Sequence, residues 1–451
     1  MSSSAVGTRH ADRPRGGLVA LCVAVTVNWG ILFYGLPTAV VPIAADTGWS
    51  QTAITGAFSA GLVLSAFLGI PVGRWLDVSG PRGIMTGGVG VGAAALLLVA
   101  WSPHYVVFAL AWLIVGAAQT ATLYPPAIAV ITRWYGAQRV RPLTLLTLFG
   151  AFASTVFSPI TAFLVEGLGW QAAFAVLAGL LVVLSGPLHW WFLGARWTDV
   201  GAESAPGAGT AAGAGSRPPR NPSRPSECRD ISGAADDIGA ETAGEVPDSD
   251  AAPESEGLSE KARTKAEIRA VVRDPRFVLL QAVALLGGFA LYTVTINLIP
   301  LLTGRGVDYT LAATVLGLVG AGQVLGRLAY PFLSVPGRPA WRAMTVYAFG
   351  AVFLWLLALL PGPTWLLVAS AIGAGAARGC DTLVKATAVA DRWGTRNFGA
   401  INGRFTVPLT IGAALAPVAG PFLATLLGGW STMAIVMAAI LTAAVALASR
   451  T

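Results

Sequence analysis

The chain has 451 residues, of which 55% are hydrophobic and 11% are charged, and its mean hydropathy is +0.68. Soluble domains contain about 25% charged residues, so a soluble fold of this length could not bury so much apolar surface. The composition therefore predicts an integral membrane protein. The net charge of +7 does not indicate nucleic-acid binding, because the basic residues lie in short segments between apolar runs.

The chain begins with a short polar segment, residues 1–16, that is predicted to be an N-terminal tail in the cytoplasm. The apolar run from Leu18 to Ala45 is nearly twice as long as the hydrophobic region of a cleaved signal peptide, which spans about 7–15 residues. We therefore interpret this run as the first membrane helix.

A helix that spans a bilayer needs about 20 mostly apolar residues, and the sequence contains twelve runs of this kind. The runs cover residues 17–43, 51–73, 83–101, 105–131, 142–165, 171–193, 277–302, 310–333, 343–360, 364–390, 400–427 and 430–449. A long polar interruption separates the first six from the last six. The sequence thus predicts an all-α membrane protein whose twelve transmembrane helices form two six-helix bundles, 17–193 and 274–449.

The interruption between the bundles, residues 194–273, is rich in Ala, Gly, Ser, Pro and acidic residues. This composition, without apolar periodicity over most of the segment, predicts a disordered linker in the cytoplasm. The last part, Ser259 to Arg273, is predicted to be a short charged helix at the membrane surface. Asp274 and Pro275 then supply an N-cap and a first-turn proline for helix 7.

The basic residues indicate the orientation in the membrane. Of the 29 lysine and arginine residues, 24 fall in segments on one side, and Arg305 alone falls in a loop on the other side. Because cytoplasmic loops are enriched in Lys and Arg, both termini are predicted to lie in the cytoplasm. We expect a monomer in the lipid bilayer of the cell membrane.

The two halves carry similar markers at matching positions. Gly136 follows an aromatic pair at the end of helix 4, and Pro159 comes 23 residues later. In the second half Gly394 follows Trp393 at the end of helix 10, and Pro417 comes 23 residues later. The halves are interpreted as duplicated units in the same orientation, which in transporters places a site at their interface.

Charged side chains inside the predicted helices are the strongest functional signal. A charge in mid-membrane costs at least about 2.5–3.5 kcal/mol, so such residues usually face a cavity and have partners. Helix 10 carries Arg378, Asp381 and Lys385, whose spacing of three and four residues puts them on one face. Helix 8 carries Arg327. Arg74 precedes the corresponding loop of the first half, and Arg327 is predicted to lie about one helical turn deeper in the membrane than Arg74. The alternative for the three charges of helix 10 is a set of ion pairs that neutralise one another and only fix helix packing. The alternative for Arg327 is a side chain that extends along the helix to the cytoplasmic surface.

These charges predict the class of substrate. Three cations, Arg327, Arg378 and Lys385, accompany a single deep carboxylate. A cationic cavity of low dielectric attracts an anion, so we expect a small organic anion, and specifically a carboxylate, which a guanidinium binds bidentately. The deep carboxylate, Asp381, is either a proton-coupling group or a permanent counter-ion for Arg378, and we favour the counter-ion role.

Polar residues at similar depth complete the predicted substrate site. They are Tyr124, Asn297 and Asn28. Tyr124 precedes Pro125 and Pro126, which interrupt the hydrogen bonding of helix 4 and free backbone carbonyls toward a cavity. The alternative for each polar residue is a bridge between helices.

The segment between helices 2 and 3, Gly73 to Arg82, resembles the loop signature of the major facilitator superfamily, with glycine, aspartate, glycine and arginine in register. The second-half counterpart, Phe332 to Arg338, keeps the arginine but has Ser334 in place of the aspartate. The resemblance covers the chain apart from the linker and the ends. It implies that Asp77 and Arg82 latch a cytoplasmic gate against a helix N-terminus of the other half.

Within that superfamily, Tyr34-Gly35 in helix 1 and Gly48-Trp49-Ser50-Gln51 at the start of helix 2 resemble bacterial monocarboxylate porters and oxalate/formate antiporters. The resemblance implies that Arg327 holds the substrate carboxylate. The chain departs from the pattern at two places. Asn28 is the polar residue of helix 1, where a lysine would be expected, and Gln323 replaces the helix-8 carboxylate, so the proton-coupling scheme of that branch does not transfer.

The sequence therefore predicts a secondary active transporter that moves the anion by alternating access, as a proton symporter or an anion exchanger. The alternative is a proton-coupled efflux antiporter for larger amphipathic compounds, for which Trp29, Phe33 and Trp112 leave room. An enzyme is not expected, because no cluster of His, Asp and Glu lies at one face. The cysteines and histidines are too scattered for a metal site, and no nucleotide fingerprint occurs in the loops, so no cofactor is expected.

Overall fold

The computed structural model describes residue 14 and residues 16–194, 252–333, 339–394 and 397–450. These residues form helices joined by short turns, and none of them lies in a β-strand. Most of the predicted N-terminal tail and the larger part of the predicted linker lie outside the described residues. The prediction of an all-α fold is confirmed.

The first half contains six helices of membrane length. They are α1 (Gly17–Thr47), α2 (Gln51–Ser79), α3 (Pro81–Trp101), α4 (Tyr105–Tyr135), α5 (Val140–Leu168) and α6 (Trp170–Phe192). The Ser50 hydroxyl caps α2 by accepting a hydrogen bond from the backbone N–H of Ala53 at 3.1 Å. Gly80 has a φ of 77°, which favours glycine, and it lets the chain reverse before Pro81 begins α3.

The second half repeats this arrangement. Its helices are α7 (Pro275–Ile296, with a short continuation Leu298–Thr303), α8 (Tyr309–Ala329), α9 (Pro339–Leu359), α10 (Thr364–Thr387), α11 (Phe398–Leu426) and α12 (Trp430–Ala448). The carboxylate of Asp274 accepts a hydrogen bond from the backbone N–H of Arg276 at 2.8 Å. The predicted N-cap of helix 7 is therefore confirmed.

A separate helix, Ala252–Arg273, precedes α7, and we call it the linker helix. It begins seven residues before the predicted start at Ser259. Near its end, Ile268, Val271 and Val272 pack against an apolar cluster formed by the adjoining ends of α7, α10 and α11. Apolar packing against the second half thus accounts for order in a segment whose composition is otherwise polar.

Eleven helices in the described parts of the chain are long and apolar enough to cross a membrane. The remaining membrane-length helix is α10, which has 24 residues but carries Arg378, Asp381 and Lys385 in its second half. These charges lower its mean hydropathy without shortening it. Two sets of six helices therefore match the predicted architecture.

Each half surrounds its own apolar core. In the first half the core centres on Trp112, which is fully buried and meets Phe58 edge to face, with ring centroids 5.5 Å apart. In the second half Leu291 and Leu316 are fully buried at the centre of a larger aliphatic cluster. Trp112 is thus part of the packing of the first half.

A π-helical segment, Trp29–Tyr34, interrupts α1 about half-way along its length. A π turn inserts one residue and leaves a carbonyl without its usual partner. Here Gln119 of α4 donates its side-chain amide to the carbonyl of Leu32 at 2.8 Å, and both residues are buried. Helix α4 is itself broken close by, at Leu123, just before the two prolines.

Helices α8 and α10 lie backbone against backbone. A Cβ atom added to Gly379 would lie 2.8 Å from the Cα of Gln323, and one added to Gly326 would lie 2.9 Å from the Cα of Ala376. Small residues permit this close approach between membrane helices. The two helices that carry the predicted intramembrane charges are therefore in direct contact.

The turn at Gly80 and the start of α1 lie at one end of the bundle, which we call the basic end because most of the lysine and arginine residues that the structure describes belong to it. The two halves touch along α5 and α8 and at the opposite end. Hydrogen bonds between the halves in this region run from Thr155 Oγ1 to Gly317 O (2.8 Å), from Val418 N to Ser59 Oγ (3.3 Å) and from the Tyr309 hydroxyl to Thr38 O (2.9 Å).

Candidate functional site

A cavity of about 300 Å³ lies between the two halves, and α1, α4, α5, α7, α8, α10 and α11 contribute to its wall. Its polar and charged side chains are Tyr34, Tyr124, Tyr292, Gln323, Arg327, Arg378, Asp381, Thr382 and Lys385. The structure thus brings together all four charged residues that the sequence singled out, and Tyr124 with them.

Arg327 reaches from α8 toward the first half. Its guanidinium Nη1 donates a hydrogen bond to the backbone carbonyl of Thr147 in α5. The hydroxyl of Tyr124 donates to the same carbonyl at 3.4 Å. The Nε of Arg327 is buried and has no hydrogen-bond partner among the described residues. Arg327 therefore joins the two halves beside the cavity and keeps one donor unused.

Arg378 is held by neutral groups of α7. Its Nη1 donates to the hydroxyl of Thr295 at 3.0 Å, and its guanidinium carbon lies 4.1 Å from the ring centroid of Tyr292. A cation over an aromatic ring is stabilised by about 0.5–2 kcal/mol, depending on how far it is desolvated. These contacts fix the position of the guanidinium without neutralising its charge.

Asp381 is paired with Lys385 and with a tyrosine of α9. Its Oδ2 lies 2.7 Å from the Lys385 ammonium, and its Oδ1 accepts a hydrogen bond from the Tyr347 hydroxyl at 2.9 Å. Asp381 is only 6% exposed. This geometry differs from the expected ion pair with Arg378, because both carboxylate oxygens are engaged elsewhere and the guanidinium is held by α7.

Gln323 lies one helical turn before Arg327 and is 6% exposed. Within the described residues its amide nitrogen has no acceptor. A buried donor without a partner costs about 1–3 kcal/mol, a cost that a bound acceptor would remove. Gln323 and Arg327 therefore present unused donors on one face of α8, next to the cavity.

Aromatic side chains form the rest of the wall. Trp29, from the π-helical segment of α1, lies with its ring centroid 5.0 Å from that of Tyr124. Tyr34, Phe289 and Tyr292 also border the cavity. The cavity thus has a cationic side built from α8 and α10 and an aromatic side built mainly from α1, α4 and α7.

Two predicted site residues do not line this cavity. Asn28 is fully buried and donates its side-chain amide to Thr122 O at 3.0 Å, between α1 and α4. Asn297 donates to Thr293 O at 2.9 Å at the break in α7, and it borders a much smaller cavity toward the opposite end. Asn297 also donates to Ala416 O of α11 at 3.4 Å, so both asparagines fit the alternative role of a bridge between helices.

The predicted gate residues lie at the basic end. Asp77 is exposed in the last turn of α2, and Arg82 lies in the first turn of α3 with its guanidinium carbon 4.0 Å from the ring centroid of Trp190. Arg82 is therefore stacked on α6 of its own half. A gating role for both residues stays a prediction.

Two residues that shape the site, Tyr347 and Thr295, were not among the predicted ones. Each lies inside a long apolar run, where a single hydroxyl gives no sequence signal of its own. In the structure Tyr347 packs against Gly287 of a Gly-Gly pair in α7, a contact that the sequence does not indicate.

Comparison with known proteins decides the family. Residues 19–380, more than half of the chain, match the sequence model of the Major Facilitator Superfamily. The chain belongs to the Major Facilitator Superfamily. A search of curated proteins gave no match to this major facilitator protein.

Solved structures of major facilitator proteins share its fold. A bacterial homologue of the human lysosomal transporter Spinster, in an inward-facing and occupied conformation, has 17% identity and a TM-score of 0.65, with 96% of each chain covered. A mutant of the nucleoside transporter NupG has 14% identity and a TM-score of 0.66, with 96% of this chain and 99% of that chain covered. The superfamily resemblance is confirmed, and the protein is an integral membrane transporter rather than an enzyme.

Proposed function

We propose that this protein is a secondary active transporter that moves a small organic anion, specifically a monocarboxylate, across the cytoplasmic membrane by alternating access. The anion moves in symport with a proton or in exchange for another anion. Both termini and the basic end lie in the cytoplasm. The observation that supports this proposal is the charge of the cavity, which three cations and one carboxylate line.

The partners of the three cations differ. Lys385 and Asp381 form an ion pair with a separation of 2.7 Å and largely neutralise each other. Arg327 and Arg378 contact only neutral groups among the described residues. In a cavity of low dielectric these two guanidiniums attract an anion and repel a cation.

The size of the cavity favours a small substrate. Ligand pockets span about 300–1,000 Å³, so a cavity of about 300 Å³ lies at the lower limit of that range. A short carboxylate could accept hydrogen bonds from a guanidinium through one end and contact the aromatic side through the other.

The contacts between the halves support alternating access. The hydrogen bonds Tyr309 to Thr38 and Val418 to Ser59 hold the halves together at the end opposite the basic end. Rocking of one half against the other would break them and open the cavity to that side. Asp77 would then latch the basic end while the opposite end is open.

Counterflow in proteoliposomes with labelled lactate, pyruvate and oxalate tests the proposal. We expect uptake of at least one of these anions, and loss of most of that uptake in the separate variants Arg327→Ala and Arg378→Ala. Arg404→Ala is the matched control, because Arg404 is exposed, donates to Ala400 O and does not line the cavity. Uptake that is unchanged in both cavity variants would contradict the proposal.

The aromatic side of the cavity favours a second candidate, a proton-coupled efflux antiporter for amphipathic compounds. Five aromatic side chains border the cavity, and planar apolar molecules stack on such surfaces. The same proteoliposomes discriminate between the two functions. Proton-driven transport of an amphipathic dye, together with no counterflow of any carboxylate, would favour the antiporter.

A further inference from the structure

Tyr347 lies behind the cavity wall and contacts it through Asp381 and α7. It lies in α9, outside the cavity lining, and it is fully buried. Its hydroxyl donates to Oδ1 of Asp381 at 2.9 Å. A Cβ atom on Gly287 would lie 2.6 Å from the Cζ of Tyr347, so the phenol occupies the space that this glycine leaves free.

Lys385 holds the other carboxylate oxygen from the cavity side. Its ammonium lies 2.7 Å from Oδ2 of Asp381. A Cβ atom on Gly288 would lie 2.9 Å from the Cε of Lys385 and 3.4 Å from Oδ2 of Asp381. The Gly287-Gly288 pair of α7 therefore makes room for both groups that hold the carboxylate.

Without these two contacts Asp381 would have another partner. It lies three residues after Arg378, and oppositely charged side chains at this spacing are neighbours on a helix surface. A carboxylate that paired with Arg378 would neutralise the guanidinium and compete with an anionic substrate for it. In the described structure Arg378 instead contacts Thr295 and the ring of Tyr292, and both are neutral.

We propose that Tyr347 is a positioning residue for substrate binding. Its hydroxyl, together with Lys385, holds Asp381 away from Arg378 and so keeps the Arg378 guanidinium available to the anion. This inference rests on the proposed function, because it assigns Tyr347 a role in the affinity for the same anion.

The test compares Tyr347→Phe, Asp381→Asn and the double variant in counterflow without a pH gradient, using whichever carboxylate the full-length protein transports. In Tyr347→Phe the freed Oδ1 competes for Arg378, and we expect KM to rise about tenfold with Vmax within about twofold of the wild-type value. In the Asp381→Asn background no competing charge exists, so removal of the hydroxyl should leave KM unchanged.

Tyr330→Phe is the matched control. Tyr330 lies in the same half, its hydroxyl is 3.4 Å from Thr387 Oγ1, and it does not line the cavity, so its loss should not change KM. If Tyr347→Phe does not fold, Gly288→Ala disturbs the same carboxylate from the other side by displacing Lys385. It should raise KM in the same way, and again only where Asp381 is present.

The outcomes separate this inference from the proposed function. A wild-type protein that transports no anion contradicts the proposed function itself. Anion transport with an unchanged KM in Tyr347→Phe overturns only the role of Tyr347. A rise in KM that persists in the Asp381→Asn background shows a merely structural effect of the hydroxyl and also overturns it.

Discussion

Replacement of Gly379 by alanine tests the packing that supports the cationic side of the cavity. The new Cβ would lie 2.8 Å from the Cα of Gln323, whereas ordinary contacts of a Cβ begin at 3.4 Å. The position of the Cβ is fixed by the backbone of α10, and the Cα belongs to the backbone of α8, so no side-chain rotation can relieve the contact. We expect α10 to move off α8 by about 1 Å, because packed interiors have no free volume to absorb the methyl group.

The size of the effect follows from this displacement. Overpacking of this kind costs about 1–3 kcal/mol of stability. Gly379 directly follows Arg378, so the guanidiniums of Arg378 and Arg327 would separate by a similar distance. A misplacement of about 1 Å in a site can cost up to about 100-fold in activity, and we expect at least a tenfold rise in the KM for the anion.

Two measurements check this prediction. Thermal unfolding in detergent should show a lower Tm for Gly379→Ala, and counterflow should show the higher KM. Gly87→Ala is the matched control, because an added methyl group at Gly87 in α3 would have no heavy atom within 4 Å, and neither value should change. Wild-type Tm and KM in Gly379→Ala would refute the backbone contact between α8 and α10.

Three further predictions concern other parts of the structure. Because Asp381 is paired with Lys385, we expect Asp381→Asn to retain uptake driven by an imposed pH gradient, measured with a labelled carboxylate. Gln119→Leu leaves the carbonyl of Leu32 unpaired and should lower stability by about 1–3 kcal/mol, seen as a lower Tm in detergent. Tyr309→Phe removes a contact between the halves worth about 1 kcal/mol, so the opposite end should open about fivefold more often. Thiol labelling of Thr55→Cys measures this opening, because Thr55 of α2 is 4% exposed and borders the same small cavity as Asn297.

Each of these predictions has an outcome that contradicts it. Loss of the pH response in Asp381→Asn, with counterflow intact, would identify Asp381 as the proton-coupling group. For Gln119→Leu the control is Gln138→Leu, an exposed position in the turn between α4 and α5 where the substitution should leave Tm unchanged. A Tm of Gln119→Leu equal to that of the wild-type protein would remove the role of Gln119. Labelling at position 55 that does not respond to Tyr309→Phe would show that this hydrogen bond does not hold the opposite end closed.

The sequence predicts the fold well because hydropathy alone determines which segments can enter a bilayer. It predicts helix ends less well. The apolar run of helix 2 stops at residue 73, whereas α2 continues to Ser79 and ends only where Gly80 turns the chain. Charged residues end an apolar run but not the backbone hydrogen bonds of a helix.

The sequence likewise predicted some features of the site and not others. The spacing of Arg378, Asp381 and Lys385 was sufficient to place them on one face of α10, and all three line one cavity. The partner of Asp381 could not be predicted, because it depends on Tyr347 from another helix. The π-helical segment of α1 could not be predicted either, because the freed carbonyl of Leu32 accepts its hydrogen bond from Gln119, a residue 87 positions away.

The direct contact between α8 and α10 has a consequence for the energetics of a transport cycle. Helices joined backbone to backbone move as one rigid body, so the spacing of Arg327 and Arg378 stays constant while the halves rock. An anion would then meet the same pair of guanidiniums from either face of the membrane. We expect nearly symmetric affinities on the two sides, so the KM for the anion should be similar for transport in either direction.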